Sequence, residues 1–413
     1  MDKNIINIAS AKAAEAMDFY GIKHNDTEEA NFNKVLEAMM AAKIGDRHLH
    51  STTGYGYDDT GRDALEEIYA KVLGTEAALM RQQIVSGTHA ISLALMGNLL
   101  PGDELLYVGS PYDTLHKVIG HTQKVPGSMT EMGIEYREVD FDYNAPNPQT
   151  VVDAIKANTK IVALQRSKGY NWRASLSIAV LADLISAVKK AYPSVIVFVD
   201  NCYGEFVETK EPPEVGADLI AGSLIKNPGG GLAPCGGYVA GKADLVERAA
   251  ARLTSPGIGK EIGPSLMDQR LYYQGLFMAP SVVGEALRGA VFAACLWHEL
   301  GFKVLPHYEE NRTDIIQAIE LKEKERLLAF CRGIQKYAPI DSYVTPMPWD
   351  MPGYTSQVIM AAGTFVQGSS IELSADAPVK EPYIVYFQGG LNRYHAKTAV
   401  SRTAKDMLEA GLI

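Results

Sequence analysis

Val195-Ile196-Val197-Phe198-Val199-Asp200 is an unbroken apolar run ending in a carboxylate, and Ser223-Leu224-Ile225-Lys226-Asn227-Pro228-Gly229-Gly230-Gly231 follows shortly after it. β-Branched and aromatic residues without polar alternation belong to a strand covered on both faces, as in the parallel sheets of α/β proteins. Working outward, similar short runs recur between about residues 76 and 240: Glu104-Leu105-Leu106-Tyr107-Val108, Lys160-Ile161-Val162-Ala163-Leu164, Asp218-Leu219-Ile220 and Gly237-Tyr238-Val239-Ala240. Helical patterns at 150–156 and 178–191 lie between them. This alternation predicts crossover connections and a mostly parallel sheet with helices on both faces. Ligands of such sheets sit beyond the carboxyl ends of the strands, which is where Ser86, Tyr112, Arg166 and Asp200 fall.

The flanks read differently. Asp26-Thr27-Glu28-Glu29 has the form of a helix start, and Phe32, Val35, Leu36, Met39 and Met40 then keep the spacing of one buried face up to Gly45. His48 to Arg62 is polar, aromatic and glycine-rich without helical period, and reads as a contact loop; Asp63 is the expected cap of the helix after it. Beyond the sheet, a long helix is expected at 282–300. A helix at 322–337, strands at 358–361, 370–373 and 383–387, and a last helix at 396–410 read as a smaller α+β region. The expected division is an N-terminal helical arm and interface loop (1–62), a large cofactor domain (63–300) and a small C-terminal domain (301–413).

The bulk properties narrow the class. A chain of 413 residues with a formal charge of -10 does not suit a general nucleic-acid or acidic-membrane partner. Met1-Asp2-Lys3-Asn4 lacks a signal-peptide pattern, no apolar run is read as membrane-spanning, and a cytoplasmic enzyme is expected. Cys202, Cys235, Cys295 and Cys331 have neither zinc-ligand nor disulfide-framework spacing. The pairs His48/His50 and His116/His121 fit no strong metal motif, so no metal is expected. The glycines 229–231 lack the G-K-[ST] of a nucleotide P-loop.

Lys226 is the leading candidate for a reactive amine. Most lysines are solvated surface groups, but Leu224-Ile225 precede this one, and Pro228 with three glycines forms a turn that lets the backbone approach a ligand. Burial lowers a lysine's pKa, which suits a Schiff base and a later proton shuttle. Asp200 either caps the next element or faces a pyridine nitrogen, keeping the ring protonated so that it accepts electrons from the substrate Cα. A lysine and a carboxylate in these settings imply pyridoxal 5'-phosphate as cofactor. Ser86-Gly87-Thr88 opens a helix, either as a simple cap or as a phosphate cradle, with Ser223 as a second phosphate ligand. Tyr112 either packs at the surface or stacks on a cofactor face. Arg166 is either a structural ion pair or a clamp on a carboxylate or phenolic oxygen. Tyr55, Tyr57 and Arg62 are either ordinary loop residues or groups that reach a phosphate across a dimer interface.

The series Ser86-Gly87-Thr88, Tyr112, Asp200, Ser223 and Lys226 resembles the fold-type-I pyridoxal-phosphate enzymes of the cystathionine and methionine lyase group. Further stretches are similar to the bacterial branch known as the methionine γ-lyase or aluminium-resistance-protein family: His50 to Arg62, Gln165-Arg166-Ser167, Gly169-Tyr170, Met351-Pro352-Gly353-Tyr354 and Ser370-Ile371-Glu372-Leu373-Ser374-Ala375-Asp376. The resemblance implies a seven-stranded, mostly parallel sheet plus a small domain, with catalytic dimers that pair into tetramers. It implies phosphate contacts from Ser86, Gly87, Thr88 and Ser223, stacking by Tyr112, a pyridine contact from Asp200, the covalent link at Lys226, and a neighbour's Tyr55 or Tyr57 in each site. Two departures stand out. Ile225 replaces a hydroxyl residue before the lysine, and the family's carboxylate-binding arginine has no match, since Arg393 sits in no such motif. The expected reaction is β- or γ-elimination from a sulfur amino acid, giving a 2-oxo acid, ammonia and a thiol. Transamination, aldol cleavage and a catalytically weak scaffold acting in metal tolerance are the alternatives.

Overall fold

The computed structural model describes residues 4–123 and 125–413; Met1 to Lys3, read above for a leader, lie outside the described residues. Two helices lead in, α1 (Asn4–Ala41) and α2 (Thr60–Leu73). Then come β1 (Ala77–Arg81), α3 (Gly87–Asn98), β2 (Glu104–Val108), α4 (Asp113–Ile119), β3 (Glu135–Val139), α5 (Pro148–Ala154), β4 (Thr159–Gln165), α6 (Ile178–Ala191), β5 (Ile196–Asp200), β6 (Leu219–Ser223) and β7 (Gly237–Gly241). These strands form one sheet of order β1-β7-β6-β5-β4-β2-β3, in which only β7 runs against its neighbours. After α7 (Ala243–Leu253) and α8 (Arg270–Glu299), a second sheet is built from β8 (Lys303–Leu305), β9 (Gln317–Glu320), β10 (Val358–Ala361), β11 (Ser374–Pro378) and β12 (Ile384–Gln388). Its order is β10-β11-β12-β9-β8, flanked by α9 (Lys324–Lys336) and α10 (Arg393–Glu409). The architecture is the fold-type-I α/β fold with a smaller α+β unit.

The large sheet is apolar on both faces, as the unbroken runs require. Tyr107, Ala163, Phe198 and Ala221 pack toward α3 and α7, while Val108, Leu164, Val199 and Ile220 pack with residues of α2, α6 and α8. Each pair is one residue apart, the period of a pleated strand. That parity sets which face of the sheet each strand-end residue joins.

Several boundaries differ from the sequence reading. The helix expected to start at Asp26 is the middle of α1, which runs unbroken from Asn4 to Ala41. Ile6, Ala9, Ala13, Met17, His24, Val35 and Ala38 are buried along it, so packing along its whole length overrides the local start signal. α2 is capped by Asp59 rather than Asp63: the Asp59 carboxylate accepts the Arg62 N–H at 2.9 Å and the Thr52 hydroxyl at 2.5 Å. The strand expected at 370–373 begins instead at Ser374, because the Glu372 carboxylate accepts the Phe365 and Val366 N–H groups and folds the preceding chain into a loop. α8 is longer than expected and is, contrary to the sequence reading, long and apolar enough to cross a membrane; most of its apolar window is buried inside the protein, against α1 and α10 among others.

Candidate active site

At the carboxyl ends of β4, β5 and β6 a cavity of about 530 Å³ opens on the α3 face of the large sheet. Ile196, Phe198 and Asp200 share one side of β5, so the parity that sends Phe198 toward α3 also sends Asp200 there. Asp200 is buried and accepts the Cys202 N–H at 3.1 Å. Ser223 ends β6, and Lys226 follows three residues later. Lys226 Nζ stands 4.0 Å from the centre of the Tyr203 ring. Tyr203 itself has φ +73, a left-handed backbone that a non-glycine residue adopts only when its surroundings enforce it.

Ser86 is the N-cap of α3, its hydroxyl accepting the His89 N–H at 3.1 Å. The first amides of a helix have no acceptor within it, so those of Gly87 and Thr88 are available to a ligand. Gly87 is tightly placed: a Cβ there would lie 3.2 Å from the Ser223 Cβ and 3.4 Å from the Cys202 Sγ. Across the cavity, the Tyr112 and Thr88 hydroxyls are 2.9 Å apart, which fixes the tyrosine ring over the pocket.

The cavity therefore brings together Ser86, Gly87, Thr88, Tyr112, Asp200, Ser223 and Lys226. Arg166 is not among them: of its two readings, ligand clamp or structural ion pair, the structure gives the ion pair. It is fully buried on the other face of the sheet and bonded to Asn201, Glu208 and Glu211 at 2.9, 3.0 and 3.1 Å. The residue before it, Gln165, is in register with Asp200 and lines the cavity. Tyr55 and Tyr57 do not line it either; their side chains stand 69% and 64% exposed. Among the described residues no arginine lines the cavity. Arg393 is 3.5 Å from Glu285 instead.

Several lining groups were not assigned to the site from the sequence, although Tyr170 and Tyr354 lie in its family-like stretches. Cys202 and Tyr203 lie in the turn just after Asp200, and Tyr170 and Tyr354 approach from loops. Tyr170 packs 5.8 Å from Tyr354 and 5.2 Å from Tyr386 of β12, so the small sheet supports the cavity wall. Thr355 bonds Asp113 at the start of α4 through both its N–H and its hydroxyl at 3.0 Å, holding the Tyr354 loop in place. Counting two residues along β4 from Ala163 finds Gln165; nothing comparable locates the loop tyrosines.

The electrostatics differ from the expectation for Lys226. Burial pushes its ammonium toward the neutral amine, but the acidic groups of Cys202, Tyr203, Asp200 and Tyr112 outweigh burial and hold its pKa above the ordinary lysine value. Burial raises the Asp200 carboxyl, and Lys226 with the Cys202 N–H offsets only part of that rise. Burial also raises Tyr112 and Cys202, with Asp200 adding to both.

The sheet order, the small α+β unit and the helix-capped cavity define a fold-type-I α/β protein. The Escherichia coli protein YhfS, a pyridoxal-5'-phosphate-dependent protein, has this fold, with TM-score 0.63 at 17% identity over 93% of this chain and 96% of that one. The methionine gamma-lyase family model matches residues 6–408, and the chain belongs to that family. It is 51% identical to the uncharacterized Bacillus subtilis protein YnbB over 94% of this chain and 93% of that one. A Clostridium novyi NT structure, named a carbon-sulfur lyase involved in aluminum resistance, superposes with TM-score 0.94 at 46% identity, covering 98% of this chain and 96% of that one.

Proposed function

We propose that this chain is a carbon–sulfur lyase that holds pyridoxal 5'-phosphate in the cavity and eliminates a thiol from a sulfur amino acid of the methionine, cystathionine or cysteine class. One water is consumed, and a 2-oxo acid, ammonia and the thiol leave. The observation that carries the reading is the pair Lys226 and Asp200 in one cavity beside the open start of α3. The lining fits the cofactor: an amine for its aldehyde, a buried carboxylate for its ring nitrogen, and helix-start amides with two hydroxyls for its phosphate. The tight space at Gly87 fits a close approach to that phosphate, because a larger residue would crowd Ser223 and Cys202. Bound there, the cofactor supplies an electron sink for a carbanion at the substrate Cα.

The protein's own groups do the rest. Lys226 would hold the cofactor through its amine, and it is the base that moves the Cα proton. Asp200, held by the Cys202 N–H, would supply the carboxylate for the ring nitrogen. Tyr112, oriented by Thr88, would stack on the cofactor. Ser86, Gly87, Thr88 and Ser223 bind the phosphate. Tyr170, Tyr203 and Tyr354 enclose the substrate side and limit water there. In an assembly of two or four chains, Tyr55 and Tyr57 reach the neighbour's phosphate, which agrees with their exposure in a single chain.

The test is to load the purified protein with cofactor, record its visible spectrum, and add cystathionine, methionine and cysteine separately. Equal amounts of 2-oxo acid, ammonia and thiol are expected from at least one of them. Exchange of the amino group without ammonia would replace the reading with transamination, glycine with an aldehyde would replace it with aldol cleavage, and cofactor binding without turnover of any amino acid would leave a scaffold.

A further inference from the structure

A second cavity, of about 760 Å³, shares no lining residue with the first. Its walls come from the middle of α1, the start of α6, the turn at 207–209 and the stretch 308–313 that leads into β9. We propose that this cavity binds a small organic anion, a planar apolar body carrying a carboxylate or phosphate group, which Arg312 recognises.

Arg312 is 4% exposed, and its one hydrogen bond among the described residues is from Nη2 to the Gln317 side-chain oxygen at 2.5 Å. Its Nε and Nη1 are buried and meet no acceptor among the described residues. Glu208, Glu309 and Glu310 also line the cavity, and Asp314 and Glu310 attract the guanidinium from a distance, but the hydrogen-bond partners of all four are other groups. Asp314 is bonded to Lys168 at 3.1 Å and to Ser175. Glu208 pairs with Arg166 and accepts the Ile178 N–H. Glu309 and Glu310, both exposed, face His307 at 3.6 and 3.1 Å. A buried guanidinium with one neutral acceptor is a costly arrangement unless an anion completes it. Guanidinium also matches carboxylate and phosphate oxygens in a two-point geometry that few other groups offer.

The other walls suit the body of such a ligand. Phe19 is 59% exposed on α1, and Tyr20 and Tyr308 also line the space. Tyr20 stacks on His24 with centroids 5.5 Å apart, and the buried His24 Nε2 meets no partner among the described residues. Burial lowers the His24 pKa to about 4, so at neutral pH it adds a donor or acceptor and no charge. Lys23 stands over the Phe19 ring at 4.4 Å, which sets a second cation on the same wall.

Calorimetric titration of the cofactor-loaded protein with benzoate, phenyl phosphate and benzamide tests the proposal. At least one of the two anions is expected to bind, the better one naming the head group, while the neutral benzamide does not. Arg312→Gln should weaken that binding by roughly tenfold to a hundredfold, the range for losing a charged hydrogen-bonding partner. Ala179→Trp, which fills the cavity from an exposed position on another wall, should abolish binding while lyase turnover and the unfolding midpoint stay unchanged. The proposal is overturned if neither anion binds, if benzamide binds equally well, or if both variants bind as the parent does. It is also overturned if binding appears only after the assembly is dissociated, since a second copy of the chain would then fill the space.

Discussion

Two buried charged clusters sit at the carboxyl ends of the same neighbouring strands and behave in opposite ways. Arg166, one residue past β4, turns away from α3 and meets Asn201, Glu208 and Glu211 in a closed group. α1 covers that group, with Asn31 donating to the Phe206 and Glu208 carbonyls at 2.9 and 3.1 Å. Asp200 and Lys226 turn to the α3 face and border an open cavity, with a tyrosine ring rather than a paired acid against the ammonium. The closed group pairs its guanidinium with two carboxylates, leaving only the Arg166 Nε without an acceptor among the described residues, and fixes the chain after β5. The open one leaves an amine and a carboxylate facing space, which is the condition for chemistry. A charge at a strand's end is therefore not enough to mark a site: the parity of the residue decides which cluster it joins.

The largest expected effect separates the clusters most sharply. Lys226→Ala should abolish turnover, by about 10⁴-fold or more for a residue that is both covalent anchor and base, and should remove the visible absorbance of the bound cofactor. Its unfolding midpoint should fall less than that of a variant lacking Arg166, because no acid lies within ion-pair distance of the ammonium among the described residues and only the longer-range attraction to Asp200 is lost. Retained elimination in this variant would end the assignment of the open cluster as the active site.

Arg166→Met addresses the closed cluster and should act on stability first. It leaves Glu211, which burial already holds above its ordinary pKa, without its guanidinium. Breaking one side of a buried pair costs about 3–5 kcal/mol, to be read from the urea midpoint at constant slope. Cofactor-loaded variant that remains folded should turn over substrate as the parent does. Full stability with lost turnover would mean that Arg166 serves the ligand after all, and the contrast between the two clusters would fail.

This contrast also explains what could be read from the chain in advance. The apolar runs of β2, β4, β5 and β7 were legible because a strand buried on both faces has no alternation to hide it. β3 was not: Glu135-Tyr136-Arg137-Glu138-Val139 lies at the sheet's edge with mostly half-buried side chains, so its polar content masks it. Lys226, Asp200 and the Ser86-Gly87-Thr88 turn were legible because local chemistry and local structure coincide there. Arg166 stayed undecided between an ion pair and a ligand clamp because being at a strand's end was weighed and parity was not; parity selects the ion pair, and two steps from Ala163 lands on Gln165. Tyr170 and Tyr354 stood in stretches that carry the family resemblance, but neither they nor Tyr203 were assigned to the site, because they converge from separate loops and no local pattern records such an approach. The cap at Asp59 depends on Thr52 and Ser265 as well as on α2, another contact invisible at short range.

Behind Lys226 lies a carboxyl that blurs the boundary between open and closed. Glu205 is fully buried, accepts the Tyr238 hydroxyl at 2.7 Å, and leaves its second oxygen without a partner among the described residues. Burial raises its pKa from 4.5 to about 8, with the Tyr238 bond opposing. The folded protein therefore keeps a proton that the unfolded chain gives up, so stability falls as pH rises from about 4.5 to about 8 and levels off above. Glu205→Gln should remove that fall, gaining on the order of 3 kcal/mol relative to the parent at the alkaline end. Urea midpoints of both proteins at the two ends of the window give the result. Parallel pH curves would mean that Glu205 is ionised in the fold and belongs with the closed cluster.

The smallest expected effect on a single chain concerns the loop bearing Tyr55 and Tyr57. Arg62 donates to the Gly56 carbonyl at 2.8 Å, and the Gly263 N–H donates to the Tyr55 carbonyl at 2.9 Å, so the loop is held firmly. It nevertheless carries two exposed rings whose centres are 5.6 Å apart. A firmly held loop that leaves its aromatics outside is organised for a surface other than its own. Replacing both by Ser should change stability by less than about 0.5 kcal/mol, as for exposed residues generally, yet weaken cofactor affinity by about tenfold if they serve the neighbour's site. The decisive measurement is complementation. Protomers carrying Lys226→Ala are inactive, and protomers carrying both serines bind cofactor poorly, but a hybrid dimer has one site with an intact lysine and the neighbour's intact tyrosines. Unfolding and refolding the two variants together should therefore restore up to about a quarter of parental turnover, half the dimers being hybrid with one of two sites complete. If the mixture is no more active than the sum of its parts, each chain completes its own cavity and the exposed rings serve some other contact.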